Sequence, residues 1–114
     1  MDAVGNIAVG YSTSSSSIFP SVAYTGRLAA DPLGTLQPES VIVSGVGSQT
    51  GVSRWGDYSG LTIDPIDDCT FWYTNEYLQT TGQFNWNTRV ASFKFPGCIR
   101  TSVVVSIVST LLLQ

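Results

Sequence analysis

The sequence contains no histidine. That absence excludes Ser-His-Asp and Cys-His nucleophilic catalysis, and any zinc site built on imidazole. Two cysteines are too few for a four-thiolate site. Charge is scarce as well, at 11% of 114 residues against about a quarter in an ordinary soluble domain. Five basic residues stand against eight acidic ones, a net charge of −3, which argues against nucleic acid as a partner. Long hydrophobic runs are missing too. The most apolar stretch, 102–113, is shorter than the roughly 20 residues a membrane helix needs and carries three Ser and a Thr. Its β-branched residues read as a strand, so no membrane span is expected. Met1-Asp2-Ala3-Val4-Gly5 has neither a basic n-region nor an apolar h-region, and does not read as a signal peptide.

What takes the place of charge is 15 Ser, 12 Thr and 11 Gly beside 43% hydrophobic residues. That mixture suits a secreted all-β protein and is too apolar for a disordered chain. An internal repeat organises it. Asp2-Ala-Val-Gly-Asn-Ile-Ala-Val-Gly-Tyr-Ser12 aligns with Asp64-Pro-Ile-Asp-Asp-Cys-Thr-Phe-Trp-Tyr-Thr74 at an offset of 62 residues. Each copy reads as a turn followed by a strand, because Gly5-Asn6 and Asp67-Asp68 tolerate the positive φ of tight turns. Polar loops follow at 13–19 and 79–85, then second strands near 21–28 and 87–95. A third strand is expected at 40–46, and Leu61-Thr62-Ile63 leads into the second Asp turn. No window has a helical period. Four short antiparallel strands per repeat, with apolar residues on both faces, predict blades of a β-propeller. The divisions are 1–53 as the end of one blade, 54–98 as a second blade, and 99–114 as an apolar strand or tail. Two blades do not close a ring. One outer face of each unit should therefore expose apolar side chains, from Val9, Tyr11, Val22 and Tyr24 on one side and Phe93 and Phe95 on the other. Such a chain should self-associate or complete a larger ring.

The cysteines fit the second hairpin. With Cys69 opposite Cys98, every opposed pair sums to 167, so that Tyr73 faces Lys94, Trp72 faces Phe95 and Tyr77 faces Val90. The midpoint then falls at Gln83-Phe84, inside the polar loop. A disulfide closing this loop contributes roughly 3–4 kcal/mol and implies an oxidising compartment, outside the cell or at its surface. The alternative is a pair of buried free thiols.

The segment Arg54-Trp-Gly-Asp-Tyr-Ser-Gly-Leu-Thr-Ile-Asp-Pro-Ile-Asp-Asp-Cys-Thr-Phe-Trp-Tyr-Thr-Asn-Glu-Tyr77 and the segment Trp86-Asn-Thr-Arg-Val-Ala-Ser-Phe-Lys-Phe-Pro-Gly-Cys98 resemble recurrent C-terminal signatures. They are similar to those of secreted bacterial proteins of sialidase-like (BNR-type) β-propeller architecture. The resemblance spans residues 2–98. It implies a propeller fold, and for the enzymes of that kind an arginine triad, an Asp acid/base and a Tyr nucleophile. None of that set maps onto this chain residue by residue, and the Ser-x-Asp-x-Gly-x-x-Trp box is absent.

Three constellations are candidates for chemistry. Arg54, Trp55, Asp57 and Tyr58 combine a cation, a carboxylate and two rings, the mixture that recognises sugars by stacking and by forked hydrogen bonds. The same residues also suit a packed latch in which Arg54 pairs with Asp57. Asp64, Asp67 and Asp68 offer oxygen ligands to calcium. Because the turn recurs at Asp2 with Gly5-Asn6 in place of Asp67-Asp68, it reads as turn chemistry, with no metal and no cofactor expected. Asp57 and Glu76 are a formal acid/base pair for glycoside cleavage, but nothing in the sequence places them together. Trp72 and Trp86 read as blade core. Two functions follow. One is a structural or carbohydrate- or protein-binding extracellular segment without chemistry of its own. The other is a fragment of a sialidase-like glycoside hydrolase whose catalytic residues lie mostly upstream.

Overall fold

A computed structural model describes residues 1–99. The proposed strand at 102–113 lies outside the described residues. The described chain is all-β: β1 (Ile7–Thr13), β2 (Ser21–Arg27), β3 (Ser40–Val43), β4 (Gly60–Ile63), β5 (Phe71–Tyr77) and β6 (Asn87–Phe93). These form two antiparallel sheets, ordered β1-β2-β3 and β4-β5-β6. Each sheet has three strands among the described residues, where four per unit were expected. The aligned strands β1 and β5 also hold different places. β5 is central because β4 pairs with it ahead of the second Asp turn, whereas β1 lies at a sheet edge, with β2 as the only described strand paired to it.

Both Asp turns form, and for the expected reason. Asp2 Oδ1 accepts the amide of Val4 at 3.1 Å, and Asp64 Oδ1 accepts that of Ile66 at 2.9 Å. Positive φ occurs at Gly5 (93°) and at Asp68 (57°), residue types that tolerate it. Asp2 is itself buried, and its carboxylate also holds the Asn6 backbone and side-chain amides at 2.9 and 2.8 Å.

The two sheets pack face to face, and small residues on one receive rings from the other. Ala8, Gly10 and Ser12 of β1 pair with Gly26, Tyr24 and Val22 of β2, so these six share the inner face. A Cβ on Gly10 would collide with the ring of Tyr73, and one on Gly26 with the ring of Phe95. Tyr24 stacks on Phe93 at 3.8 Å between centroids with the planes 14° apart, and Phe93 stacks on Phe71 at 5.5 Å. Asn75 links the layers, donating to Ser12 Oγ at 3.0 Å and to the Tyr73 hydroxyl at 2.7 Å. Burial raises the pKa of that hydroxyl. Of the side chains expected on exposed outer faces, Val9 is exposed at 42% and Tyr11 is half-buried. Val22 is buried, and Tyr24, Phe93 and Phe95 belong to the inter-sheet contact. On the outer face of the first sheet, Tyr11 donates to Glu39 Oε2 at 2.6 Å. Burial together with that carboxylate pushes Tyr11 up to about 12.

Cys69 and Cys98 form a disulfide with Cα atoms 5.7 Å apart. The hairpin register differs from expectation. Phe71 opposes Phe93 and Tyr73 opposes Ala91, so opposed residue numbers sum to 164. The difference of three is odd, and an odd slip moves every side chain of a strand to the other face. The 167 register would have set Lys94 beside buried Tyr73 and carried Phe93 and Phe95 away from the other sheet. Cys98 reaches Cys69 from beyond the ladder, past a turn at Pro96-Gly97.

The connections fall at two ends. One end gathers residues 14–20, 44–59 and 78–86. The other gathers the two Asp turns, residues 28–39 and the disulfide, with Ala3 donating to the Asp68 carbonyl at 2.8 Å.

Candidate functional site

The site lies at the first of these ends, and its frame is built from backbone. Leu78, fully buried, accepts the amides of Val46 and Gly47 at 2.9 and 3.2 Å and donates its own to the Pro20 carbonyl at 3.2 Å. Gln49 forms a parallel bridge with Gly82. Its side chain donates to the Arg54 carbonyl at 2.7 Å and accepts the Phe84 amide at 3.2 Å. Three loops are thereby tied into one surface.

On this frame sits the segment 54–58, anchored by a buried carboxylate. Glu76 lies on the outward face of β5 yet is only 1% exposed, because the segment lies over it. Its two oxygens accept the amides of Gly56 at 2.9 Å and Tyr58 at 3.3 Å. A buried charge is stable only with such partners. Arg54 Nε donates to Asp57 Oδ2 at 2.6 Å, a pair open to solvent. Pairing with Asp57 raises the Arg54 pKa further.

The expected group Arg54, Trp55, Asp57 and Tyr58 therefore converges, and a cavity of about 300 Å³ opens beside it. Glu76, Phe84 and Trp86 complete its lining. Phe84 stands at φ 55°, a left-handed conformation uncommon for a bulky residue, and such strain concentrates at ligand clamps. Its ring meets that of Trp86 edge-on, with centroids 5.8 Å apart and planes at 89°. Neither Trp55 nor Trp86 spends its indole N–H on a protein partner among the described residues.

Two expectations are corrected. Trp86 lines this cavity and does not belong to the core. Trp72 is 43% exposed on the outer face of the second sheet, donating to Asp64 Oδ2 at 3.2 Å. Asp57 and Glu76 do share one cavity, although no sequence pattern places them together. Asp57 Oδ2 is nevertheless committed to Arg54 and both Glu76 oxygens to backbone amides, an arrangement that holds a loop. Phe84 and Gln49 were not anticipated. Both lie in or beside stretches that read only as polar loop, and the Gly82-Gln83-Phe84 sequence carries no recognisable ligand motif.

The remaining carboxylates fold turns. Asp67 Oδ1 accepts the amides of Cys69 and Thr70, both at 2.9 Å, and Oδ2 accepts the Thr70 hydroxyl at 2.5 Å. These bonds lower Asp67 to about 2, with the Thr70 hydroxyl contributing most. Among the described residues no three His, Cys, Asp or Glu side chains converge on a point where a metal could sit. No described helix is long and apolar enough to cross a membrane. Comparison with known proteins returns no matching family model, no matching curated protein and no matching solved structure.

Proposed function

We propose that this chain is a carbohydrate-binding, non-catalytic segment of an extracellular β-propeller of the sialidase-like kind that its signatures resemble. One observation carries the reading: four aromatic side chains, Trp55, Tyr58, Phe84 and Trp86, surround a cavity that also holds Arg54, Asp57 and Glu76. Rings of this kind stack on pyranose faces, and two indole donors without a partner among the described residues are available to sugar hydroxyls. The disulfide supports the extracellular placement, since such bonds persist in oxidising compartments. Two carboxylates stand against one guanidinium, and that guanidinium is already paired. The site therefore favours neutral or amino sugars over sialic and uronic acids. A second reading, a scaffold latch, draws on the same Glu76 bonds that hold segment 54–58 in place.

A glycan array probed with the wild-type chain, Trp55→Ala and Trp86→Ala tests this. Binding to neutral or amino glycans that falls about tenfold or more in both variants is expected. Wild-type silence across the array, or binding untouched by either substitution, leaves the latch reading.

A further inference from the structure

A second cavity, of about 460 Å³, adjoins the first, with Trp55 as a shared wall. It lies between the serine run 14–17 with Ile18 and Phe19 on one side, and Ser48, Val52 and Ser53 on the other. Among the described residues no charged side chain lines it. The hydroxyls of Ser14, Ser16, Ser48 and Ser53 have no protein partner among the described residues. Ile18 and Phe19 are half exposed beside them, at 50% and 47%. Apolar side chains are left open to solvent here, next to short hydroxyls with unspent hydrogen-bonding capacity. A disaccharide unit wants that pairing: a CH-rich face against a ring, and a rim of donors and acceptors around it.

We propose that this cavity is a second sugar subsite, taking an uncharged pyranose, so that the ligand is an oligosaccharide crossing Trp55 with neighbouring units in the two cavities. The inference rests on the carbohydrate reading of the first cavity and adds chain length and a neutral second unit to it. Trp55 has two faces and lines both cavities, so it serves both units. Phe19 and the serine run serve only the second.

The test is titration of the intact chain with glucose-, N-acetylglucosamine-, galactose- and mannose-based series from monosaccharide to hexasaccharide, followed by tryptophan fluorescence and calorimetry. The best series should gain about tenfold or more in affinity on going from one unit to two or three. Phe19→Ala, and Ser16→Trp, which fills the cavity from an exposed loop position, should abolish that gain and leave monosaccharide affinity unchanged. Trp55→Ala should weaken every length. Equal affinity at all lengths, or loss in Phe19→Ala and Ser16→Trp that is the same for monosaccharide and oligosaccharide, overturns the second subsite while the first stands. No binding at any length overturns both.

Discussion

The two ends of this molecule solve opposite problems with the same polar residues. At the disulfide end, carboxylates are spent locally: Asp2, Asp64 and Asp67 each satisfy amides within four residues of themselves. At the loop end, Glu76 and Gln49 reach across 18 to 35 residues, to Gly56, Tyr58 and Phe84. Local bonds make turns that are rigid and finished. Long-range bonds hold separate loops apart at a fixed spacing, with cavities left between them. The comparison teaches that the polar composition does not itself mark the site. What marks it is where hydrogen bonds cross between segments while aromatic rings stay unburied.

Removing the covalent anchor should separate the ends most clearly. Replacing Cys69 and Cys98 together by Ala is expected to cost about 3–4 kcal/mol of stability, from the loop of 29 residues that the bond closes. Glycan affinity measured well below the unfolding transition should not change. Paired denaturant melts and titrations check this, and an affinity that falls in step would show the ends to be coupled.

A smaller effect is expected at the other end. Glu76→Ala strips two backbone amides of their acceptor under a covering loop, at a cost of about 1–3 kcal/mol. Hydrogen exchange should accelerate at Gly56 and Tyr58 and stay unchanged at Cys69 and Thr70. Glu76→Gln, which keeps one acceptor oxygen, should fall between. Exchange that accelerates at both ends would erase the distinction.

The smallest effect is in acid. Asp67 is held at about 2 in the folded chain, below its ordinary value of 3.8. A depressed carboxylate contributes stability that is fully present above its unfolded pKa and is lost as pH falls toward the folded one. The contribution should therefore fade between about pH 4 and pH 2, and Asp67→Asn should flatten that part of the acid limb. Thermal melts across this window, read against Glu76→Gln as a loop-end control, check it.

Much of the disulfide end was legible in the sequence because its interactions are local. The Asp turns, their positive φ and the disulfide all follow from residues near one another or from the only two cysteines. The register was misread, because the inner face it serves shows only in the structure. Phe71, Tyr73, Ala91, Phe93 and Phe95 share the inner face and are all odd-numbered, so opposed pairs must sum to an even number. Taking the cysteines as a ladder pair forces an odd one. The inter-sheet packing was hidden for another reason: nothing in the sequence marks Gly10 and Gly26, which lie within expected strands, as the space that Tyr73 and Phe95 fill. At the loop end, the group at 54–58 was visible as a cluster of chemically useful side chains. Its second wall at 84–86, and the neutral cavity beyond Trp55, depend on bonds from Gln49 and Leu78 whose partners no local pattern announces.

The position of Leu78 has a kinetic meaning. Because one buried residue fixes the strand ends that carry all three loops, the surface proposed to bind sugars would stand ready before a ligand arrives, with no loop needed to close over it. Encounters should then succeed at a rate set by diffusion and orientation, much the same for short and long ligands. Ligands would differ in residence time, which lengthens with each further unit that must let go before the whole molecule can leave.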